Sequence, residues 1–342
     1  MDTAPQVTAE LKPMSLSEIL DRTFTLYRNN FWLFCGLMAL PEVANALISI
    51  IYFATVGSKM MIAPRPNPQN PFEALAGMQS ALGGALVLLF FHAIFYSTAL
   101  GAVTLAVSEI YLGRTTSIRA SYSSVIRRMP GLFGLILVLL MLLFVFVFAG
   151  VIAGLIPAAV LAGALTAVSS RAGAPGVLVG VLVVVLVLVL MLSGVVLGIW
   201  LMMRFAVSIP AFMLERLGVF DSMGRSGSLT KGFRWRIFVS VVVMYVVVYA
   251  VQLLFGMPFV VMTMARVGKG VLPLWLQAGT AVSAAVAGTL AGPLLMITIA
   301  LIYYDVRIRK EAFDLEAMMG ALGSLAPQPG YAGGAPPPNL GG

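Results

Sequence analysis

Six stretches of the chain, approximately 31–56, 81–111, 131–168, 176–209, 237–264 and 274–304, are apolar almost without interruption, and polar residues collect between them. Each exceeds the ~18 apolar residues that a helix needs to cross a bilayer. None shows the ten-residue alternation of a membrane β-barrel, and an open sheet cannot leave its edge in lipid. The pattern predicts an all-α integral membrane protein with six transmembrane helices.

The polar segments repeat. Ahead of the odd-numbered spans stand "SLSEILDRTFTLYRNNFW", "SIRASYSSVIRRMPGLF" and "DSMGRSGSLTKGFRWRIF". In the first, Leu16, Ile19, Leu20, Thr23, Tyr27 and Phe31 fall on one helical face, with Glu18, Asp21, Arg22, Thr25 and Arg28 largely off it. That is amphipathic-helix spacing, and Ser15 with Glu18 fits a capping box at its start. The second keeps Tyr122, Val125, Ile126 and Met129 on one face. The third carries Gly224, Gly227 and Gly232 and is expected to be the least regular. Each even-numbered span ends on an acid with a base close behind: Glu109 then Arg114, Glu215 then Arg216, Asp305 then Arg307. The predicted unit is an interfacial amphipathic helix plus a helical hairpin, repeated three times.

Three segments follow: an N-terminal cytoplasmic tail at 1–14, a six-span membrane domain at 15–316 and a Pro/Gly-rich tail at 317–342 expected to be disordered. Four prolines within 64–71 rule out a continuous helix in the first outer loop. "PFEALAGMQSAL" is compatible with a short helix leading into the second span. Pro157 and Pro258 either kink or end their spans.

Composition agrees. The chain is 60% hydrophobic and only 10% charged, against roughly a quarter charged in soluble domains. No basic, short-cored secretory signal opens it. Its single cysteine, Cys35, excludes an internal disulfide and a cysteine metal cluster. Net charge is +8, unevenly placed: Lys59, Arg65, Arg171, Arg266 and Lys269 fall on one side of the predicted topology and the remaining sixteen Lys and Arg on the other. That bias puts both termini in the cytoplasm. Basic flanks there suit anionic lipid headgroups, at about 1 kcal/mol per residue, a more economical reading than nucleic acid.

The three exit acids read either as interfacial anchors or as a latch, a ring of contacts Glu109–Arg114, Glu215–Arg216 and Asp305–Arg307 joining the hairpins. Catalysis by them is the least supported reading, since ion pairs perturb structure as well as mark function. At membrane depth an ionisable residue is a functional candidate. Glu42, about 16 Å past Phe31 at helical rise, has Pro41 beside it and Asn45 a turn on, and His92 lies mid-depth in the second span. A Glu42–His92 pair would relay protons or hold a cation. In the simpler reading Glu42 is protonated or reaches the outer interface and His92 bonds a carbonyl within the bundle. Arg204 is expected to snorkel, and the methionines to pack rather than bind copper. No Walker sequence, HExxH or nucleophile elbow is present, so neither an enzyme nor a cofactor is expected.

"SLSEILDRTFTLYRNNFWLF", "SIPAFMLERLGVFDSMGRSGSLTKGFRWRIF" and "LIYYDVRIRKEAFDLE" together resemble the membrane domain of membrane-anchored glycerophosphoryl diester phosphodiesterases, also found standalone in bacteria. The likeness covers about residues 15–316. In full-length members catalysis belongs to a separate soluble barrel, so the resemblance implies the membrane module without the hydrolase, in a bacterial cytoplasmic membrane. The function expected is a non-enzymatic module that organises lipids or a protein partner in envelope or lipid metabolism. The alternative is a transporter or exporter of a lipid or other amphiphile, because two-helix repeats also build transporters around a central site.

The topology has a direct check. A cysteine introduced at Ser170 is expected to react with an impermeant thiol reagent from outside intact cells; labelling only after lysis contradicts the assignment.

Overall fold

The computed structural model describes residues 13–57, 71–169, 173–266 and 272–325, and the described residues hold helices joined by short links, with no strand among them. The helices are α1 (Leu16–Asn29), α2 (Phe31–Tyr52), α3 (Pro71–Tyr111), α4 (Ile118–Ile126), α5 (Met129–Ser169), α6 (Gly173–Met202), α7 (Ser208–Leu214), α8 (Val219–Thr230), α9 (Arg234–Met264) and α10 (Leu274–Leu325). Among the described residues, six segments are long and apolar enough to cross a membrane: Phe31–Thr55, Gly83–Tyr111, Met129–Gly150, Val184–Leu214, Arg234–Met264 and Leu274–Glu311.

The short helices form for local reasons. At α1 the Ser15 hydroxyl accepts the Glu18 amide while the Glu18 carboxylate accepts the Ser15 amide, so two free amides are satisfied reciprocally. At α4 the cap is one-sided, the Ser117 hydroxyl accepting the Ala120 amide. Three expectations are corrected. Ile126 is 67% exposed, so only Val125 of the expected α4 face is buried. The third short helix is regular through Gly224 and Gly227, because Ser222, Ser226 and Thr230 bury small polar faces there; only Gly232, at φ 92°, stands in the turn that follows. And α10 does not stop at Asp305 or at 316: it runs to Leu325, past the boundary expected for the tail. "PFEALAGMQSAL" is the start of α3 rather than a separate helix, and Pro258 is accommodated inside α9. The first outer loop's prolines at 64–68, Ser170 and the tail beyond 325 lie outside the described residues.

Packing is uneven along the spans. The buried core gathers at one end, from Phe34, Leu37 and Met38 of α2, Ala99–Val107 of α3, Leu132 and Leu135 of α5, Val207–Met213 and Ile297–Val306 of α10. There α10 lies against α1, α2, α3 and α9. Farther along, α5 and α6 pack on each other, and Gly150 meets Gly194 backbone to backbone, the close approach that small residues permit between membrane helices. Large apolar side chains such as Met141, Phe144, Leu188, Leu192 and Leu254 stay exposed. Exposed apolar side chains in such number are suited to lipid.

Candidate functional site

The packed end is also the polar end, and its centre is a buried carboxylate. Asp305 is 1% exposed. It accepts the Met14 amide at 2.7 Å and both oxygens accept Arg309 Nε at 3.1 and 3.0 Å, while Arg236 stands 3.4 Å away. The Met14 carbonyl closes the knot by accepting from Arg309 and Arg236. Helical spacing aligns Asp305 and Arg309, four residues apart on α10. The other two partners come from the segment before α1 and the start of α9. A buried acid thus joins three parts of the chain.

A second acid sits beside it. Glu215, just past α7, accepts both Arg225 Nε bonds (3.0 and 2.9 Å) from α8 and the Tyr303 hydroxyl (2.7 Å) from α10. Arg225 also reaches Glu311, which Arg307 holds at 2.8 Å. Burial alone would lower the Arg225 guanidinium, but hydrogen bonds to Glu311 and Glu215 outweigh it and hold the group above its ordinary value. Smaller bonds complete the end: Ser226 and Thr230 donate to the Arg204 carbonyl, Arg128 to the Phe212 carbonyl, and Tyr304 to Ser108.

The latch is therefore not the ring that the spacing predicted. Glu109 and Arg114 do stand together, at 3.6 Å, but both are solvent-accessible. Arg216 does not pair with Glu215, and Arg307 does not pair with Asp305. The actual partners, Arg225, Arg236 and Arg309, are ten residues on, on another helix and one helical turn on, so adjacency in sequence misidentified them. Only the i, i+4 spacing of Asp305 and Arg309 could have been found in the sequence.

Farther along the bundle Asn45 and His92 come together, while no Glu42–His92 pair forms. The Asn45 amide and His92 Nδ1 are 3.0 Å apart, and the His92 ring stacks on Tyr96 at 5.2 Å. The Glu42 carboxyl lies over Gly288 of α10, where a Cβ would approach to 2.7 Å; no hydrogen bond to it is made among the described residues. No group of three metal-ligating side chains occurs among them either. Cys35 is buried, with its sulfur 3.3 Å from the Tyr27 hydroxyl.

An all-helical chain with six membrane-length apolar helices and an ion-paired end is the class defined here. The chain belongs to the family described as Domain of unknown function (DUF7847), which it matches over residues 20–306. That match carries no link to glycerophosphoryl diester phosphodiesterases. No curated protein and no solved structure matches the chain.

The unequal acids make a prediction. Asp305→Asn is expected to cost about 3 kcal/mol, because it leaves two guanidiniums facing a neutral group in a buried site. Glu109→Gln should cost under about 0.5 kcal/mol, as for exposed pairs. Thermal unfolding in detergent checks both, and equal effects would contradict the buried knot.

Proposed function

We propose that the chain is a non-enzymatic integral membrane module whose basic end lies against anionic lipid headgroups and which organises lipids or a protein partner. The observation that carries this reading is a division among the bases at that end. Arg225, Arg236, Arg307 and Arg309 are each paired with an acid. Arg28, Arg119, Arg127, Arg216 and Lys231 are exposed, with no acidic partner among the described residues. Exposed cations that the protein leaves uncompensated beside an apolar belt are suited to a negative surface. Exposed Trp32 and Trp235 at the starts of α2 and α9, and exposed Phe24 and Phe220 on α1 and α8, supply the aromatic residues that favour the same depth.

The module is read as three repeats of short helix and hairpin: α1–α3, α4–α6 and α8–α10, with α7 an addition to the second. The charge bias supports reading both termini as cytoplasmic, and a bacterial cell rests on the resemblance to the phosphodiesterase membrane domain alone. A second reading, export of a lipid or other amphiphile, is favoured by the space that Gly288 leaves for Glu42 and by the Asn45–His92 contact.

Quantitative mass spectrometry of lipids and proteins retained in native nanodiscs tests the proposal against an unrelated six-span protein. Anionic phospholipid enriched over that control, with or without a stoichiometric protein partner, is the expected result. Lipid content equal to the control contradicts it. Under the export reading, enrichment of one amphiphile is lost in Glu42→Gln; under the module reading that substitution changes nothing.

A further inference from the structure

Beside the knot lies an open-sided cavity of about 890 Å³, between the end of α3, the link into α4, α4 itself and the end of α7. Its volume falls within the range of small-molecule sites, roughly 300–1,000 Å³. Three guanidinium side chains line it, Arg127, Arg128 and Arg216, against one carboxylate, Glu109. Arg114 already pairs with that carboxylate. Arg128 is anchored by the Phe212 carbonyl at 2.7 Å and stacks over the Phe212 ring, while Arg127 and Arg216 have no acidic partner among the described residues. Six of the lining residues are serine or threonine, including Thr116 and Ser124.

Arg216 adds an independent observation. It is the one non-glycine among the described residues with positive φ, 56°, a region that side-chain-bearing residues seldom occupy. The turn after α7 holds it there, and Arg216 is a wall of the cavity instead of a partner for adjacent Glu215.

We propose that this cavity binds a phosphate group, carried either by a lipid headgroup or by a soluble phosphate compound. Planar guanidiniums donate in pairs to phosphate oxygens, and the Ser108 hydroxyl, which accepts from Tyr304 and keeps its own proton, can donate to one that remains. The cavity is open on one side, and exposed Ile118 and Ile126 lie on α4, one of the helices that form it, so a headgroup can enter with its chains left outside. The inference rests on the reading of this end as facing headgroups and narrows it from a basic surface to one site.

The test uses the full chain in mild detergent, with phosphatidylglycerol titrated and counted by native mass spectrometry, and inorganic phosphate titrated separately by calorimetry. R127Q/R216Q is expected to weaken the tightest binding at least about tenfold, the loss of one or more charge-assisted bonds. R28Q/K231Q removes the same charge elsewhere on that end and should leave it within about twofold. S124W, which fills the cavity from an exposed helical position without removing charge, should reproduce the first loss. Loss confined to phosphatidylglycerol supports the site with a lipid as its source; loss confined to inorganic phosphate supports it with a soluble source. Equal weakening by the two charge variants overturns the site but leaves the headgroup-facing surface standing. Wild-type protein that binds neither probe overturns both.

Discussion

Burying an ionised carboxylate is costly unless bases and hydrogen bonds replace its water, and Asp305 meets that requirement only through residues far apart in the chain. Its partners are the Met14 amide, Arg309 on its own helix and Arg236 at the start of α9. Satisfying one acid therefore fixes where the chain enters α1, how α9 begins and how α10 is rotated. The Thr23–Thr298 contact at 3.2 Å and the Tyr27 hydroxyl on the Leu290 carbonyl at 2.6 Å continue the docking of α1 along α10. The core residues gather at the same end because these elements are held together there.

That concentration gives the molecule two unlike halves. One end is packed, ion-paired and lined with short helices. The other consists of long apolar helices that pack in pairs, as α5 does with α6, yet keep wide exposed faces. Lipid supplies no hydrophobic driving force between helices, so such segments need little mutual burial. Specific geometry is instead carried by charges and hydroxyls at the end where the acids are. The proposed headgroup contact and phosphate site both belong to that end.

Much of this was legible in the sequence, and the failures have physical causes. Length and hydropathy located six spans to within a few residues at most ends, because an apolar run above bilayer length has few alternatives. The capping box at Ser15 and Glu18 was readable since its atoms lie three residues apart. Glu109, Glu215 and Asp305 were recognisable as unusual, but their burial was not. Asp305 and Glu109 stand at equivalent points in the pattern, yet one is buried among three segments and the other is half-exposed. Partner choice depends on helix rotation and on contacts across hundreds of residues, which local spacing does not encode. Glycines misled at α8, where small residues allow the helix to approach Arg204 rather than break. The cavity was equally hidden, since its walls come from α3, α4 and α7 and its signal, bases without acids, appears only after the pairs are assigned.

The central claim is that Asp305 and Arg236, which stand on two different helices, are energetically coupled. A double-mutant cycle in detergent, combining Asp305→Asn with Arg236→Met, measures this most directly. The account predicts a coupling energy of about 1–3 kcal/mol, with the double variant less destabilised than the sum of the singles. Additivity within about 0.3 kcal/mol would contradict it, and would reduce the buried knot to adjacency without energetic consequence.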